Sequence, residues 1–231
     1  MLELVGAEVS YGRSRVINGV SLTLDDEDIL VILGRNGVGK TTLLKSIVGL
    51  LPLGAGTLSL DGQDITRTKA YRRSQLGLAY VPQGREIFPM LTVRENLEMG
   101  GIAHGHSFEE KADEIFGYFP ALEQHLSRKG GVLSGGQQQQ LAIARALMGD
   151  PKVLLLDEPT EGIQPNVVQE IAQILARYHA EKHVPIVVVE QNLGFARSLG
   201  DRFCMIQKGA VVADGGIDEL SDELSRKYLS V

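Results

Sequence analysis

Short, continuous runs of apolar residues alternate with stretches of helical periodicity along much of the chain. Such runs indicate strands at residues 28–33, 78–82, 153–156 and 186–189. Continuous apolar runs of this length are typical of strands that are covered on both faces. Between the last two runs, apolar residues recur at helical spacing, namely at Val167, Val168, Ile171, Ile174, Leu175 and Tyr178. This alternation of strand, helix and strand predicts an α/β fold with a largely parallel central sheet.

Two regions depart from this alternation. In the first sixty residues, segments 21–24 and 57–60 resemble strands and are followed by polar turns, of which Asp61-Gly62 is the clearest. This pattern predicts an antiparallel β layer beside the core. Residues from about 84 to 150 have a mostly helical pattern, which is clearest at 108–119 and 137–147. A further helix is predicted at 41–51.

These patterns predict one domain made of three parts. A catalytic α/β core with its β subdomain is expected over about 1–83 and 151–231, and a helical subdomain over about 84–150. The 231 residues, of which 43% are hydrophobic, are enough to bury a sizeable core.

Charge and cysteine usage narrow the class of protein. The formal net charge is −6, which argues against nucleic acid as a main partner, because chains that grip a polyphosphate backbone are usually basic. Cys204 is the only cysteine, so no internal disulfide can form, which fits a reducing compartment such as the cytoplasm. We interpret Cys204 as a small buried apolar residue, with a reactive thiol as the alternative. No run of about 18 apolar residues occurs, so a membrane role would have to act through a partner.

A glycine-rich segment at residues 34–42 fits the pattern G-x-x-x-x-G-K-[ST] and lies between a predicted strand and a predicted helix. The glycines let consecutive backbone N–H groups point at one anion, and the start of the helix adds positive charge. Lys40 can reach the β- and γ-phosphates of ATP, the Thr41 hydroxyl can bind Mg²⁺, and Thr42 can add a phosphate contact. An ordinary glycine-rich turn is the alternative. The predicted nucleotide-binding residues of this segment are Gly34, Asn36, Gly37, Gly39, Lys40, Thr41 and Thr42.

Two carboxylates follow the apolar run at 153–156. Asp157, at the tip of the predicted strand, can complete a site for hydrated Mg²⁺ together with the phosphate loop. Glu158 would then lie beside the γ-phosphate, where it can polarise the attacking water as the general base. The alternative is that both acids only cap the strand at the surface.

Residues 133–137 read Leu-Ser-Gly-Gly-Gln and precede a predicted helix. This string resembles the LSGGQ signature of ATP-binding-cassette (ABC) ATPases, and it lies between the phosphate loop and the Asp-Glu pair as in that family. The resemblance implies a P-loop NTPase (RecA-like) core with an antiparallel β subdomain and an inserted α-helical subdomain. It also implies a head-to-tail dimer that holds two ATP molecules at its interface, where Ser134 and Gly136 would act in trans on the nucleotide of the other subunit.

Other positions fit the same resemblance. Tyr11 matches the aromatic residue that stacks on adenine, although a core or edge tyrosine is the alternative. Gln83 matches the Q-loop glutamine, which contacts Mg²⁺ and the attacking water. Residues 91–97 resemble the segment near the contact with membrane subunits.

Two positions differ from the general family pattern. Gln191 stands where most ABC ATPases carry a histidine; its amide can donate a hydrogen bond to the γ-phosphate but carries no charge. This difference leaves Glu158 as the favoured base. Gln164 stands where many cassettes place an aspartate of the D-loop, at the expected dimer interface.

The strings Glu-Gln-Asn at 190–192, TEGIQP at 160–165 and PQGREIFP at 82–89 resemble one branch of the family. Its members energise the uptake of branched-chain or other hydrophobic amino acids, amides and urea. The strings GRNGVGKTTLLK, PQGREIFP, LSGGQQQQLAI and DEPTEGIQP are most similar to the urea and short-chain amide subgroup. The resemblance implies a second, different cassette as dimer partner, with a homodimer possible in isolation. It further implies membrane permease subunits, a solute-binding protein, and a peripheral position on the cytoplasmic face of the inner membrane.

Two other functions compete with a transport ATPase. A soluble ABC protein that acts on nucleic acid or ribosomes is disfavoured by the acidic charge, the single cassette and the lack of heptads between Lys40 and Ser134. A nucleotide-binding regulator without turnover is disfavoured by the presence of Lys40, Asp157 and Glu158, whereas Gln191 keeps it open.

Overall fold

A computed structural model describes residues 1–229 of the chain, and its centre is a six-stranded sheet. The strand order is β10-β9-β3-β8-β7-β6, in which β10 pairs antiparallel with β9 and the other neighbours are parallel. The strands are β3 (Ile29–Leu33), β6 (Leu78–Val81), β7 (Val153–Asp157), β8 (Ile186–Glu190), β9 (Arg202–Gln207) and β10 (Ala210–Gly216). All four apolar runs therefore form strands of one largely parallel sheet, as the sequence predicts.

Along the central strands, successive side chains point to opposite faces of this sheet. In β7, Leu154 and Leu156 belong to one buried cluster, whereas Val153 and Leu155 belong to another. Every residue of β3, β7 and β8 is buried, because both faces of the sheet are covered. Cys204 on β9 is 4% exposed, and burial raises the pKa of its thiol to about 12. The interpretation of Cys204 as a small buried residue therefore agrees with the structure.

A second, four-stranded antiparallel sheet has the order β2-β1-β4-β5. Its strands are β1 (Leu2–Tyr11), β2 (Ser14–Leu24), β4 (Ala55–Leu60) and β5 (Gln63–Asp64). Strand β2 extends beyond the predicted segment 21–24, and its ladder with β1 continues past register irregularities such as the one between Val9 and Ser10. This sheet shares its buried cluster with helix α1 (Lys40–Ile47) and one face of the large sheet.

Helices dominate the segment between β6 and β7, where the sequence predicts a helical subdomain. They are α3 (Val93–Ile102), α4 (Phe108–Tyr118), α5 (Pro120–Glu123) and α6 (Gly135–Leu147). Capping boxes start three of them, at Thr92, Ser107 and Ser134. The remaining helices are α2 (Ala70–Gln75), α7 (Pro165–Lys182), α8 (Leu193–Leu199) and α9 (Asp222–Leu229).

The first helix ends earlier than predicted. It stops at Ile47 and not at residue 51, because Gly49 adopts a left-handed conformation with φ 81° and the N–H of Leu50 turns back to the carbonyl of Lys45. None of the helices within residues 1–229 combines the length and the apolar character that crossing a membrane requires.

Candidate nucleotide-binding site

The loop between β3 and α1 approaches neighbouring elements so closely that side chains are excluded. Gly39 has φ 111°, and a Cβ atom there would lie 2.7 Å from Cδ1 of Ile17. A Cβ atom on Gly34 would lie 2.6 Å from the carbonyl oxygen of Ile206. No side chain caps the start of α1, so its first N–H groups have no side-chain partner there. This geometry suits an anion bound at the helix N-terminus.

Lys40, the first residue of α1, is folded back into the loop and is 4% exposed. Its Nζ atom donates to the carbonyl oxygens of Gly34 at 2.8 Å and Arg35 at 3.1 Å. It also lies 3.2 Å from Oε1 of Glu158. The loop therefore holds a buried cation at the point where a phosphate would enter.

Asp157 ends β7 and is 1% exposed. Its Oδ1 atom accepts a hydrogen bond from the Thr41 hydroxyl at 3.0 Å, and its Oδ2 atom accepts one from the Tyr80 hydroxyl at 3.1 Å. Burial raises the pKa of the Asp157 carboxyl, although both hydrogen bonds oppose that rise. Burial also raises the pKa of Tyr80, with Asp157 as a further cause. Apart from its polar tip on an otherwise apolar strand, nothing in the sequence marks Tyr80 as a site residue.

Glu158 has a left-handed backbone with φ 48°, which is uncommon for a residue with a Cβ atom. Its N–H donates to the carbonyl of Val189 at 2.9 Å, so the turn is tied to the neighbouring strand β8. This turn directs the Glu158 side chain back toward the loop, where it is 9% exposed and meets Lys40. The two carboxylates are therefore not surface caps of the strand.

Two glutamine amides converge on the same carboxylate. Nε2 of Gln83 donates to Oε2 of Glu158 at 3.3 Å, and Nε2 of Gln191 donates to its Oε1 at 3.1 Å. The Gln191 amide also donates to Oδ1 of Asn36 at 2.6 Å. The structure thus brings both sequence-predicted glutamines to Glu158. Glu161, which was not predicted, accepts a further bond from Gln83 at 2.9 Å.

Glu190 is a third residue, after Tyr80 and Glu161, that sequence reasoning missed. It is 3% exposed and accepts hydrogen bonds from the Thr160 hydroxyl at 2.6 Å and from the N–H groups of Gln191 and Asn192. It therefore ties the loop after β7 to the loop after β8 and fixes the backbone of Gln191. The only sequence signal was a buried strand that ends in an acid.

A cavity of about 450 Å³ lies beside Lys40, Gln83 and Glu158, whereas Asp157 and Gln191 are not among its lining residues. Tyr11 lies on its wall and is 50% exposed, as a ring available for stacking must be. The other lining residues are Val16, Asn36, Gly37, Gly39, Lys40, Thr41, Thr42, Gln83 and Glu158.

The signature residues do not line this cavity. Ser134 is the N-cap of α6: its hydroxyl accepts from the N–H of Gln137 at 3.3 Å, and Gly136 lies in the first turn. Gln164 likewise precedes a helix, as the N-cap of α7. Of the helix N-termini of α1, α6 and α7, that of α1 borders the phosphate cavity, and those of α6 and α7 lie outside it.

The donor atoms present fit both groups that the sequence implies. The loop offers N–H groups and a buried ammonium for a polyphosphate, and a carboxylate and a hydroxyl lie side by side next to it. Within residues 1–229 no three His, Cys, Asp or Glu side chains gather as a metal cluster. The Asp157 carboxylate beside the Thr41 hydroxyl suits Mg²⁺, which usually keeps several waters and binds one or two carboxylates plus substrate phosphates.

The comparisons with known proteins agree with this geometry. The family model described as ABC transporter matches residues 17–161, which is more than half of the chain. The chain belongs to the ABC transporter family. The cassette is an ATPase with a P-loop NTPase fold, and it binds nucleotide.

Two relatives and one solved structure illustrate the match. The cassette is 35% identical over 213 residues to the high-affinity branched-chain amino acid transport ATP-binding protein BraG of Pseudomonas aeruginosa, covering 92% of this chain and 91% of that protein. It is 34% identical to the probable branched-chain amino acid transport ATP-binding protein LivF of Archaeoglobus fulgidus, covering 95% and 94%. A dimeric ATP-binding cassette solved with ADP and Pi superposes with a TM-score of 0.85 at 27% identity, covering 94% of this chain and 99% of the other.

Proposed function

We propose that the cassette is the ATP-hydrolysing subunit of an ABC importer that takes up branched-chain or other hydrophobic amino acids, amides or urea. The observation that carries the ATPase mechanism is the convergence of Lys40, Gln83 and Gln191 on one buried carboxylate, that of Glu158. The names of the relatives BraG and LivF support the amino acid branch. The strings PQGREIFP and TEGIQP support its amide and urea members.

In this proposal the phosphate loop and Lys40 bind the β- and γ-phosphates, and Tyr11 stacks on the adenine ring. ATP enters by taking over Lys40 from the carbonyl oxygens of Gly34 and Arg35, which are its present acceptors. Little covalent chemistry is asked of the protein, because phosphoryl transfer to water is accelerated mainly by positioning and by charge stabilisation.

Thr41 and Asp157 would hold Mg²⁺, and Gln83, which lines the same cavity as Thr41, would contact it as a further ligand. Bound there, Mg²⁺ would neutralise charge that develops on the phosphate oxygens. Both oxygens of Asp157 are already oriented by hydroxyl donors, so the carboxylate needs little rearrangement.

Glu158 is the proposed general base. Its carboxylate lies beside Lys40, and the amides of Gln83 and Gln191 fix its two oxygens. A carboxylate held in this way can accept a proton from a water that attacks the γ-phosphate in line. Gln191 would also donate its amide to the γ-phosphate, in place of the usual histidine.

The site is completed by a second cassette. Ser134 and Gly136 begin a helix that lies outside the chain's own cavity. The N–H groups of its first turn that the Ser134–Gln137 capping box does not use would bind the nucleotide of a partner. The dimeric relative with ADP and Pi supports such an assembly. We propose a heterodimer with a related cassette, and a homodimer when the chain is studied alone.

A groove between α3, α6 and β6 is the proposed contact with a membrane permease subunit. It has a volume of about 360 Å³, and its lining includes the exposed apolar side chains Leu50, Phe88 and Met99. Arg145 is its main charge: the guanidinium stacks on Phe88 at 5.0 Å, and no carboxylate is among the lining residues. Its Nη1 atom is buried without an acceptor in the described part of the chain. The groove therefore suits a short apolar helix that brings an acidic side chain or a free carbonyl.

Such contacts would hold the cassette on the cytoplasmic face of the membrane. Closure of the ATP-bound dimer would move the helical segment and Gln83, which would switch the access of the permease subunits. A solute-binding protein would select the solute, which does not touch this chain.

Uptake by a deletion strain tests the proposal. Cells that lack this chain should lose high-affinity uptake of labelled leucine, a short amide or urea, and the wild-type chain should restore it. The Glu158→Gln variant, expressed at the same level, should not. Normal uptake of all three solutes in the deletion strain would overturn the importer assignment, whereas the purified chain's ATPase activity tests the enzyme separately.

A further inference from the structure

Tyr80 belongs to none of the motifs that define the nucleotide site, yet its hydroxyl contacts the site's most buried carboxylate. The Oη atom donates to Oδ2 of Asp157 at 3.1 Å. Tyr80 lies on β6, the edge strand of the large sheet, and pairs in register with Leu155 of β7. Its side chain must therefore reach along the sheet from Leu155 to Asp157, two residues further along β7. Only a long side chain with a polar tip can do this.

The two hydroxyls on Asp157 act on opposite oxygens. Thr41 donates to Oδ1 and is itself a proposed Mg²⁺ ligand, whereas Tyr80 donates to Oδ2 from the next strand. With a donor on each oxygen, the plane of the carboxylate is fixed. With the Thr41 bond alone, the carboxylate could rotate about its last side-chain bond, and its other oxygen would be buried without a partner.

Tyr80 is also among the residues that line the apolar groove containing Arg145. The same residue therefore borders that groove and contacts Asp157 of the nucleotide site through its hydroxyl.

We infer that Tyr80 is a positioning residue: its hydroxyl orients the Asp157 carboxylate for the divalent cation. Mutation of a residue that hydrogen-bonds to a metal ligand commonly weakens metal affinity by about 10- to 100-fold. The inference rests on the proposed metal site at Thr41 and Asp157, and it is independent of which solute is transported.

The Tyr80→Phe variant tests this inference, since it removes only the hydroxyl. Mn²⁺ serves as the probe, with free Mn²⁺ measured by electron paramagnetic resonance in the presence of a non-hydrolysable ATP analogue. We expect Mn²⁺ binding to weaken by about 10-fold, while binding of a fluorescent ATP analogue in EDTA is unchanged.

Tyr118→Phe is the matched control. The Tyr118 hydroxyl also donates to a carboxylate, that of Glu181 at 2.5 Å, but lies outside the nucleotide cavity. This variant should bind Mn²⁺ and nucleotide as the wild type does, and thermal unfolding of both variants checks that they fold.

Two results would overturn the inference. One is wild-type Mn²⁺ affinity in folded Tyr80→Phe protein. The other is an equal loss of nucleotide affinity with and without metal, which would make Tyr80 a general support of the site. Failure of the proposed metal site itself would appear differently, as a wild-type chain whose nucleotide complex binds no Mn²⁺.

Discussion

Nζ of Lys40 lies 3.2 Å from Oε1 of Glu158, and both side chains are almost fully buried. The cation that would bind phosphate is therefore paired with the proposed base before nucleotide arrives. ATP must compete with Glu158 for Lys40, and the γ-phosphate must approach a negative charge. Glu158 therefore opposes ATP binding by holding Lys40, and from the same position it can activate the attacking water.

Replacing Glu158 with Gln separates these two effects. We expect ATP affinity to rise, because the competing charge is gone, and steady-state hydrolysis to fall by about 10²- to 10⁴-fold, because no base remains. Equilibrium nucleotide binding and phosphate release measure the two. Glu161→Gln is the control, since Glu161 also accepts a hydrogen bond from Gln83 but is exposed. Wild-type turnover in the Glu158→Gln protein would contradict the assignment of the base.

Replacing Gln191 tests whether its amide takes part in hydrolysis at the position where most ABC ATPases carry a histidine. Its amide now donates to Glu158 and to Asn36, so it is aimed at the space between the base and the phosphate loop. Gln191→Ala should lower turnover by about 10²- to 10³-fold, as expected when one donor to a developing charge is lost. The KM for ATP should change less than kcat. An unchanged kcat would show that Gln191 takes no part in hydrolysis.

Asp157 should make the metal-free chain less stable at neutral pH. Its pKa in the folded chain is raised above the ordinary value of 3.8, mainly by burial, so ionisation costs the folded state more than the unfolded one. This cost is present above the folded pKa and disappears as the pH falls below 3.8. We expect Asp157→Asn to raise the midpoint of thermal unfolding by about 2–4 °C at neutral pH, with a smaller gain in acid.

Asp64 supplies a control of opposite sign for that experiment. Hydrogen bonds from Thr66 lower the pKa of its carboxyl, so Asp64 contributes stability above its ordinary pKa that is lost as the pH falls through the lowered value. Asp64→Asn should therefore lower the midpoint slightly at neutral pH. If Asp157→Asn and Asp64→Asn shift the midpoint in the same direction, the burial argument for Asp157 is wrong.

Local sequence was enough to predict the parts of the site that follow one another along the chain. The phosphate loop could be placed because a buried strand, a glycine pattern and a helix are consecutive, and Asp157 because it ends an apolar run. The predicted helix at 41–51 extends past the observed end of α1 at Ile47, although Gly49 is a sequence signal for that end. The helical signature segment was likewise predicted within a few residues of α6.

Contacts between strands could not be predicted in this way. The bond from Tyr80 to Asp157 depends on the register of β6 against β7, and the bonds from Thr160 to Glu190 depend on the meeting of two loops. Neither pair leaves a pattern along the chain. The roles of Ser134 and Gly136 depend on a second chain, so they remain proposals.

The Ser134 position allows helix capping to be separated from contact with a partner's nucleotide. Ser134 caps α6 through its hydroxyl, and aspartate caps helices about as well as serine. Ser134→Asp should therefore keep the fold but place a negative charge opposite a γ-phosphate. Lys40→Ala should instead disable the chain's own phosphate loop and leave its signature intact.

A mixture of these two variants tests the central claim, that each active site is shared between two cassettes. Each variant alone should hydrolyse little ATP. Under conditions in which the wild-type chain alone turns over, mixing Lys40→Ala with Ser134→Asp should restore activity, because an intact loop from one chain then faces an intact signature from the other. A mixture as inactive as its components, with both variants folded, would contradict the shared site.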